Sequence, residues 1–174
     1  MLFLRRSSGF TLIELVVTVA ILAIVATIAM PSMSYFIVKQ RVSSDASELY
    51  GFLMLARAEA TKRNAQISLI PRQDSSNGWS AGWCIGPSSI NSCNDASVIR
   101  SYEASGKTQI NSAYLSSSNR LTFRRDGTLL GGVSTNSFKV SSDVLKQSET
   151  DARCITINAV GQASLRAAQP NVQC

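Results

Sequence analysis

The 174-residue sequence contains no histidine. That absence removes the commonest general base, the commonest imidazole metal ligand and the side chain that changes charge near neutral pH. Ser, Asp and Arg are plentiful, but no glycine-rich phosphate loop and no nucleophile motif accompanies them, so an enzyme is the functional class the sequence supports least. Cysteine is also scarce. The four, Cys84, Cys93, Cys154 and Cys174, lack the CxxC spacing of a zinc ribbon or a redox motif, so oxidised bridges are expected, with a four-thiolate zinc site as the weaker alternative. No cofactor and no metal is expected. Charge of either sign is thin: 17 basic and 11 acidic residues give +6, a balance that permits contact with anionic surfaces without demanding it.

What is present is concentrated at the start. Residues 10–30 read FTLIELVVTVAILAIVATIAM, with Glu14 as the one charge. At about 1.5 Å per residue a helix of that length spans the hydrocarbon core of a bilayer, and β-branched Val16, Val17 and Ile21 do not oppose it, because in lipid a helix satisfies its own backbone groups. Arg5 and Arg6 precede the block, which predicts a cytoplasmic leader and an outward-facing remainder. The block is followed by Met30, Pro31 and Ser32 rather than small residues of the A-x-A kind, so a conventional secretory cut there is disfavoured.

Glu14 stands where an ionisable group is expensive. One reading is a charge tolerated at the interface by snorkelling; the other requires a partner. A cut between Gly9 and Phe10 would create an amine at Phe10, and that ammonium paired with Glu14 of a neighbouring chain would relieve both burials, making the carboxylate an assembly device. Residues 8–14, SGFTLIE, closely resemble the prepilin cleavage motif of type IV pilins and of the pseudopilins of type II secretion. The resemblance implies that a prepilin peptidase cuts after Gly9, that Phe10 is N-methylated and that Glu14 guides docking into a growing fibre. The family commonly carries a helix-breaking proline 22 residues into the mature chain, and Pro31 stands there in this sequence.

Past Pro31, where a helix should kink, loosen or break, Val38, Val42, Ala46, Leu49, Leu53, Ala56 and Ala60 recur at helical spacing. Lys39, Arg41, Asp45, Glu48, Glu59 and Lys62 tend to the other side. The helix is predicted to run to about Arg63, its apolar stripe covered by a β-sheet from the rest of the chain. After Asn64 the pattern changes to short β-favouring runs at 66–70, 81–85, 98–102, 120–125, 137–140, 154–158 and 162–166, separated by polar clusters that include loops at 74–78 and 90–96. Asp126-Gly127 predicts a two-residue hairpin, and Ala159, Val160 and Gly161 a weaker one. The fold class is therefore α+β: a leader at 1–9, a membrane and assembly helix at 10–30, its amphipathic continuation at 31–63, and a mostly antiparallel β-rich head at 64–174. Four cysteines permit three pairings; compactness favours Cys84 with Cys93 and Cys154 with Cys174. Trp79 and Trp83 are expected in core or edge packing rather than on a sugar platform.

This arrangement, with the runs RLTFRRDGTLLGG and CITINAVGQASLR, resembles the minor pilins of the FimT and FimU group and the related pseudopilin GspH over nearly the whole chain. The resemblance implies a subunit that passes once through the inner membrane with its head in the periplasm and then enters an extracellular fibre. Its partners would be other major and minor pilins and the peptidase, and its role priming of assembly. An apolar helix leaves the bilayer only if other helices replace the lipid around it. Two other functions stand beside this one. The first is capture of double-stranded DNA for transformation, with Arg120, Arg124, Arg125, Lys139 and Arg166 as phosphate contacts or, alternatively, as a solvated strand face. Members associated with DNA binding carry a GRxR-type motif near the C-terminus, whereas this chain has Gly161-Gln162-Ala163-Ser164, without either arginine. The second is a pseudopilin role in type II secretion, which shares the leader, Glu14 and the helix.

Overall fold

The computed structural model describes residues 10–72, 78–112, 119–131 and 136–174, with the side chains of 28–32 and 136 outside the description. One helix, α1 (Leu12–Arg63), is assigned continuously, and the chain divides into two compact units, Met1–Phe36 and Ile37–Cys174. In the second unit the strands are β1 (Ile67–Pro71), β2 (Gly82–Pro87), β3 (Arg100–Glu103), β4 (Gln109–Asn111), β5 (Leu121–Phe123), β6 (Asn136–Ser141), β7 (Ala152–Ile157) and β8 (Ala163–Ala168). They form two four-stranded sheets of order β3-β2-β1-β5 and β4-β6-β7-β8, and every strand pairing is antiparallel. The α+β class holds, with two sheets in the head.

The helix stops where its chemistry does. Asn64 takes a left-handed φ of 49°, and Ala65 N–H donates to the carbonyl of Ala60 at 3.2 Å, the closing pattern by which a C-terminal turn satisfies its last carbonyls. Lys62 and Arg63 in the final turn complement the helix dipole. In the head half of the helix, Val42, Ala46, Leu49, Leu53, Ala56 and Ala60 are buried as the spacing predicts, and Phe52 joins them. Phe52 meets the Trp83 ring edge-on at 6.1 Å and Tyr102 at 6.4 Å, which seats α1 on the first sheet. Trp79, in a short 3-10 turn (Gly78–Ala81), meets Phe138 of the second sheet at 5.5 Å. Both tryptophans are buried core residues.

Asp45 departs from the expected polar face: it is 4% exposed. Its carboxylate accepts hydrogen bonds from Tyr102 Oη at 2.8 Å and Thr108 Oγ1 at 2.6 Å, so a buried charge is satisfied by two hydroxyl donors and ties the helix to β3 and to the approach to β4. Burial first, then the bond to Asp45, pushes the Tyr102 phenol well above its ordinary value. One turn and a half earlier along the helix Lys39 pairs with Asp151 at 2.6 Å; the carboxylate is buried and the ammonium half-exposed.

Both glycine turns lie where expected, and the first is one residue longer than the two-residue hairpin Asp126-Gly127 predicts. Arg124 N–H donates to Thr128 O at 2.7 Å, so the loop holds the three residues Arg125, Asp126 and Gly127, and the return arm is a single bridge from Leu129 to Phe123. Gly127 has φ +79°, the left-handed position a three-residue hairpin requires. Asn158 N–H donates to Gln162 O at 3.0 Å around an equivalent loop ending in Gly161, φ +76°. The two loops interlock through Leu129 N–H to Ala159 O at 3.1 Å, joining the sheets.

Candidate functional site

Two regions carry the residues singled out in the sequence. At the N-terminus, Gly9 lies outside the described residues. Phe10 precedes the helix and is 72% exposed. Thr11 Oγ1 accepts from the backbone N–H of Glu14 at 3.3 Å, and Thr11 O accepts from Leu15 N–H at 3.2 Å. Thr11 is thus the N-cap and Glu14 the third helical residue. The T-x-x-E spacing is a capping-box signature, present in the sequence and missed in reading it. The same carboxylate in the first turn complements the positive end of the dipole. Leu12, Ile13, Leu15 and Leu22 are exposed. Among the described residues no helix is long and apolar enough to cross a membrane. The side chain of Pro31, the expected kink, lies outside the description, although the backbone there is helical.

In the head, the five candidate cations have different fates. Arg120 precedes β5 and donates to the carbonyls of Ser88 and Ile90 and, at 3.0 Å, to Asn91 Oδ1. It braces the loop closed by the Cys84–Cys93 disulfide, whose sulfurs pack with Ile70, Ile90 and Val98. Lys139 lies on β6 opposite Cys154, which in turn lies opposite Arg166, so the three share one face of the second sheet. The Cys154–Cys174 disulfide draws the tail across that face. Lys139 Nζ donates to the carbonyl of Pro170 and, at 2.9 Å, to that of Val172, and Arg166 reaches the Cys174 carbonyl at 3.5 Å. Burial pushes the Lys139 ammonium below its ordinary value. All four cysteines are in disulfides, leaving no thiolate for the zinc alternative.

Arg124 and Arg125 remain. They fall beyond β5, on the exposed loop rather than on a strand face. A Cβ built on Gly127 would stand 3.2 Å from Arg57 Nε, so Arg57 of α1, which periodicity alone did not single out, lies beside the same loop. Bonds from the Thr128 hydroxyl at 2.7 Å and backbone N–H at 2.9 Å, with a smaller contribution from the Arg124 charge, hold the carboxyl of Asp126, next along the loop, below the usual range.

With this geometry in hand, comparison with known proteins is decisive at the family level. The family of the type II transport protein GspH matches residues 45–161, well over half of the chain. The chain belongs to the GspH family. The prokaryotic N-terminal methylation motif matches residues 4–30 of this GspH-family chain. The Pseudomonas aeruginosa type IV minor pilin FimU, in two crystal forms, is 25% and 26% identical with TM-scores of 0.60 and 0.57. The matches cover 76% and 74% of this chain and 94% and 97% of FimU. The minor pseudopilin EpsH of the Vibrio cholerae type 2 secretion system shares the fold at TM-score 0.53 and 11% identity, over 73% of this chain and 97% of its own. No curated relative matches by sequence. The chain is a minor pilin or pseudopilin in the family sense, and its fold is the type IV pilin fold.

Proposed function

We propose that the chain is a minor subunit of a type IV pilus that takes part in priming fibre assembly. The observation that carries this is the 25–26% identity to the minor pilin FimU across nearly all of that protein's solved length, against 11% for the pseudopilin EpsH. In this reading a prepilin peptidase removes residues 1–9, Phe10 becomes the N-methylated terminus, and residues 10–30 hold the chain in the inner membrane with the head in the periplasm until assembly. Glu14, held in the first helical turn, presents its carboxylate to the Phe10 ammonium of a neighbouring pilin, while the exposed apolar residues around it exchange lipid for other helices.

The test is made in the native host. Fibres sheared from the cell surface are expected to contain the chain beginning at methylated Phe10, and deletion of its gene should deplete surface pili while leaving protein secretion intact. Normal piliation with loss of secreted proteins would overturn the reading in favour of the secretion fibre.

A further inference from the structure

We infer that the head carries a binding cleft for an acidic saccharide where the first sheet splays open; a ligand there would serve the head of a pilus or of a secretion fibre alike. β1 and β5 pair from Ile67 with Phe123 to Leu69 with Leu121 and no further. Pro71 is the reason. Arg72 N–H donates to Gly82 O at 2.9 Å on the β2 side, so by the alternation of a strand the backbone of residue 71 faces β5, and proline has no N–H to offer there. Ile70 and Pro71 stay paired with β2, while the Arg120 side chain reaches to the disulfide loop. The gap left between them is a cleft of about 640 Å³. Small-molecule sites run from roughly 300 to 1,000 Å³, and a bare inorganic anion fills far less.

The hydrogen-bond inventory of the lining decides what the cleft takes. Ile70 and Pro71 give it an aliphatic surface, and Arg72, Asn91 and Ser92 line it with polar groups. Arg120 is a donor only, so the Asn91 oxygen that accepts from it at 3.0 Å leaves the amide N–H groups as that side chain's remaining offer. Arg120 also occupies the carbonyls of Ser88 and Ile90. Ser92 Oγ accepts from Asn94 N–H at 3.2 Å, which leaves its hydroxyl proton to donate. Arg72 has one ion pair, at 3.4 Å to Glu103, whose side chain is 75% exposed, so most of its five donors are uncommitted. Asn119, the other polar residue of the lining, already has a partner within the chain. Among the described residues no carboxylate and no aromatic ring lines the cleft. Donors therefore outnumber acceptors, which selects a ligand that brings acceptors and negative charge over a neutral sugar, whose hydroxyls need acceptors as well. With no aromatic surface to stack a base, a nucleotide is disfavoured, whereas an aliphatic surface suits the C–H face of a pyranose ring. A carboxylate or sulfate on that ring matches the Arg72 fork.

The experiment titrates the full oxidised chain in detergent, by calorimetry, with trigalacturonate and with a sulfated galactotriose. Each is run beside its uncharged counterpart, the methyl ester or the unsulfated trisaccharide, and beside inorganic phosphate. Wild type is compared with Arg72→Met, which keeps the stem and removes the fork. A second variant, Asn91→Asp, keeps the oxygen that Arg120 holds and replaces the amide donor with a negative charge. Oxidation of Cys84–Cys93 and an unchanged urea midpoint show that each variant is folded. At least one acidic trisaccharide is expected to bind at least about tenfold more tightly than its uncharged counterpart and than phosphate. Either substitution should weaken that binding at least about tenfold, as loss of one charge-assisted contact implies. Failure of both acidic trisaccharides to bind, equal binding of the uncharged forms or of phosphate, or binding that survives both substitutions would each overturn the inference.

Discussion

Gly161 sits against Gly127 so closely that a Cβ at Gly161 would stand 2.1 Å from the Gly127 carbonyl oxygen. Both residues have positive φ, so each glycine serves its own turn and also admits the other. Replacing Gly161 with Ala is expected to destabilise the oxidised protein by about 2–4 kcal/mol, from left-handed backbone strain plus an overlap with rigid backbone. Gly106 is the control: φ is +69° with nothing within 4 Å, so Gly106→Ala should lose only about 1 kcal/mol. Urea unfolding of the two variants in detergent measures the difference; equal losses would mean that the turns do not interlock.

Asp45 gives a second prediction. Asp45→Ala would leave the Tyr102 and Thr108 hydroxyls without their acceptor and should lower stability by about 2–3 kcal/mol, the loss expected when one buried and one part-buried donor are stranded. The same unfolding measurement reads it, and a loss under about 0.5 kcal/mol, the range of an ordinary surface change, would show that water replaces the carboxylate.

The partner of that contact should be visible in alkali. Tyr102 holds its proton more tightly in the folded state than its ordinary value of 10.0 allows. Its contribution is therefore fully present below pH 10 and is lost as the pH rises above it, because only the unfolded chain then releases the proton. The urea midpoint of wild type should fall above pH 10, and Tyr102→Phe should fall less steeply. Parallel profiles would assign the alkaline loss to other groups.

Sequence reading located most of the head and misjudged its polar residues. Of the eight described strands, seven overlap the expected runs, all but β5 reaching one or two residues past them, and the helix ends where Lys62, Arg63 and Asn64 signal it. The three residues of β4, Gln109–Asn111, were missed because two of them are polar and only Ile110 is buried, a pattern too short to show alternation. Asp45 was placed on the solvent side because helical periodicity sees one element, whereas its hydroxyl partners lie 57 and 63 residues away. The same blindness grouped five cations as one basic face. Which of them turns inward depends on backbone carbonyls of the disulfide loop and the tail, and a carbonyl leaves no trace in composition.

That division among cations predicts divergent effects of equivalent substitutions. Arg120→Ala should cost about 1–2 kcal/mol and open the 84–93 loop to proteolysis, because it removes a charged donor shared by the part-buried Ile90 carbonyl and the exposed Ser88 carbonyl. Arg124→Ala/Arg125→Ala should stay within about 0.5 kcal/mol of wild type, as exposed changes do. Limited proteolysis and urea midpoints compare them; equal behaviour would place Arg120 in the solvent with the others.

Opening the tail bridge isolates the last region. Cys154→Ser/Cys174→Ser removes a link across a separation of 20 residues, for which chain entropy predicts a loss of about 3 kcal/mol. The separation of 9 in Cys84–Cys93 predicts about 2.5 kcal/mol. Lys139 would remain as the tail's main polar anchor, so adding Lys139→Met should release residues 169–174 to rapid amide exchange; retained protection would show that other contacts hold the tail.

The spacing of contacts along α1 bears on what happens under tension. Lys39 to Asp151, Asp45 to Tyr102, Phe52 to Trp83 and Arg57 to Gly127 are distributed along the head half of one helix rather than gathered at one end. A pull along the helix axis loads them in shear, together, so that none can fail far ahead of the rest. A head of ordinary thermodynamic stability can in this way resist force in one direction while remaining easy to peel from another, and the strong direction is the one in which its own helix points.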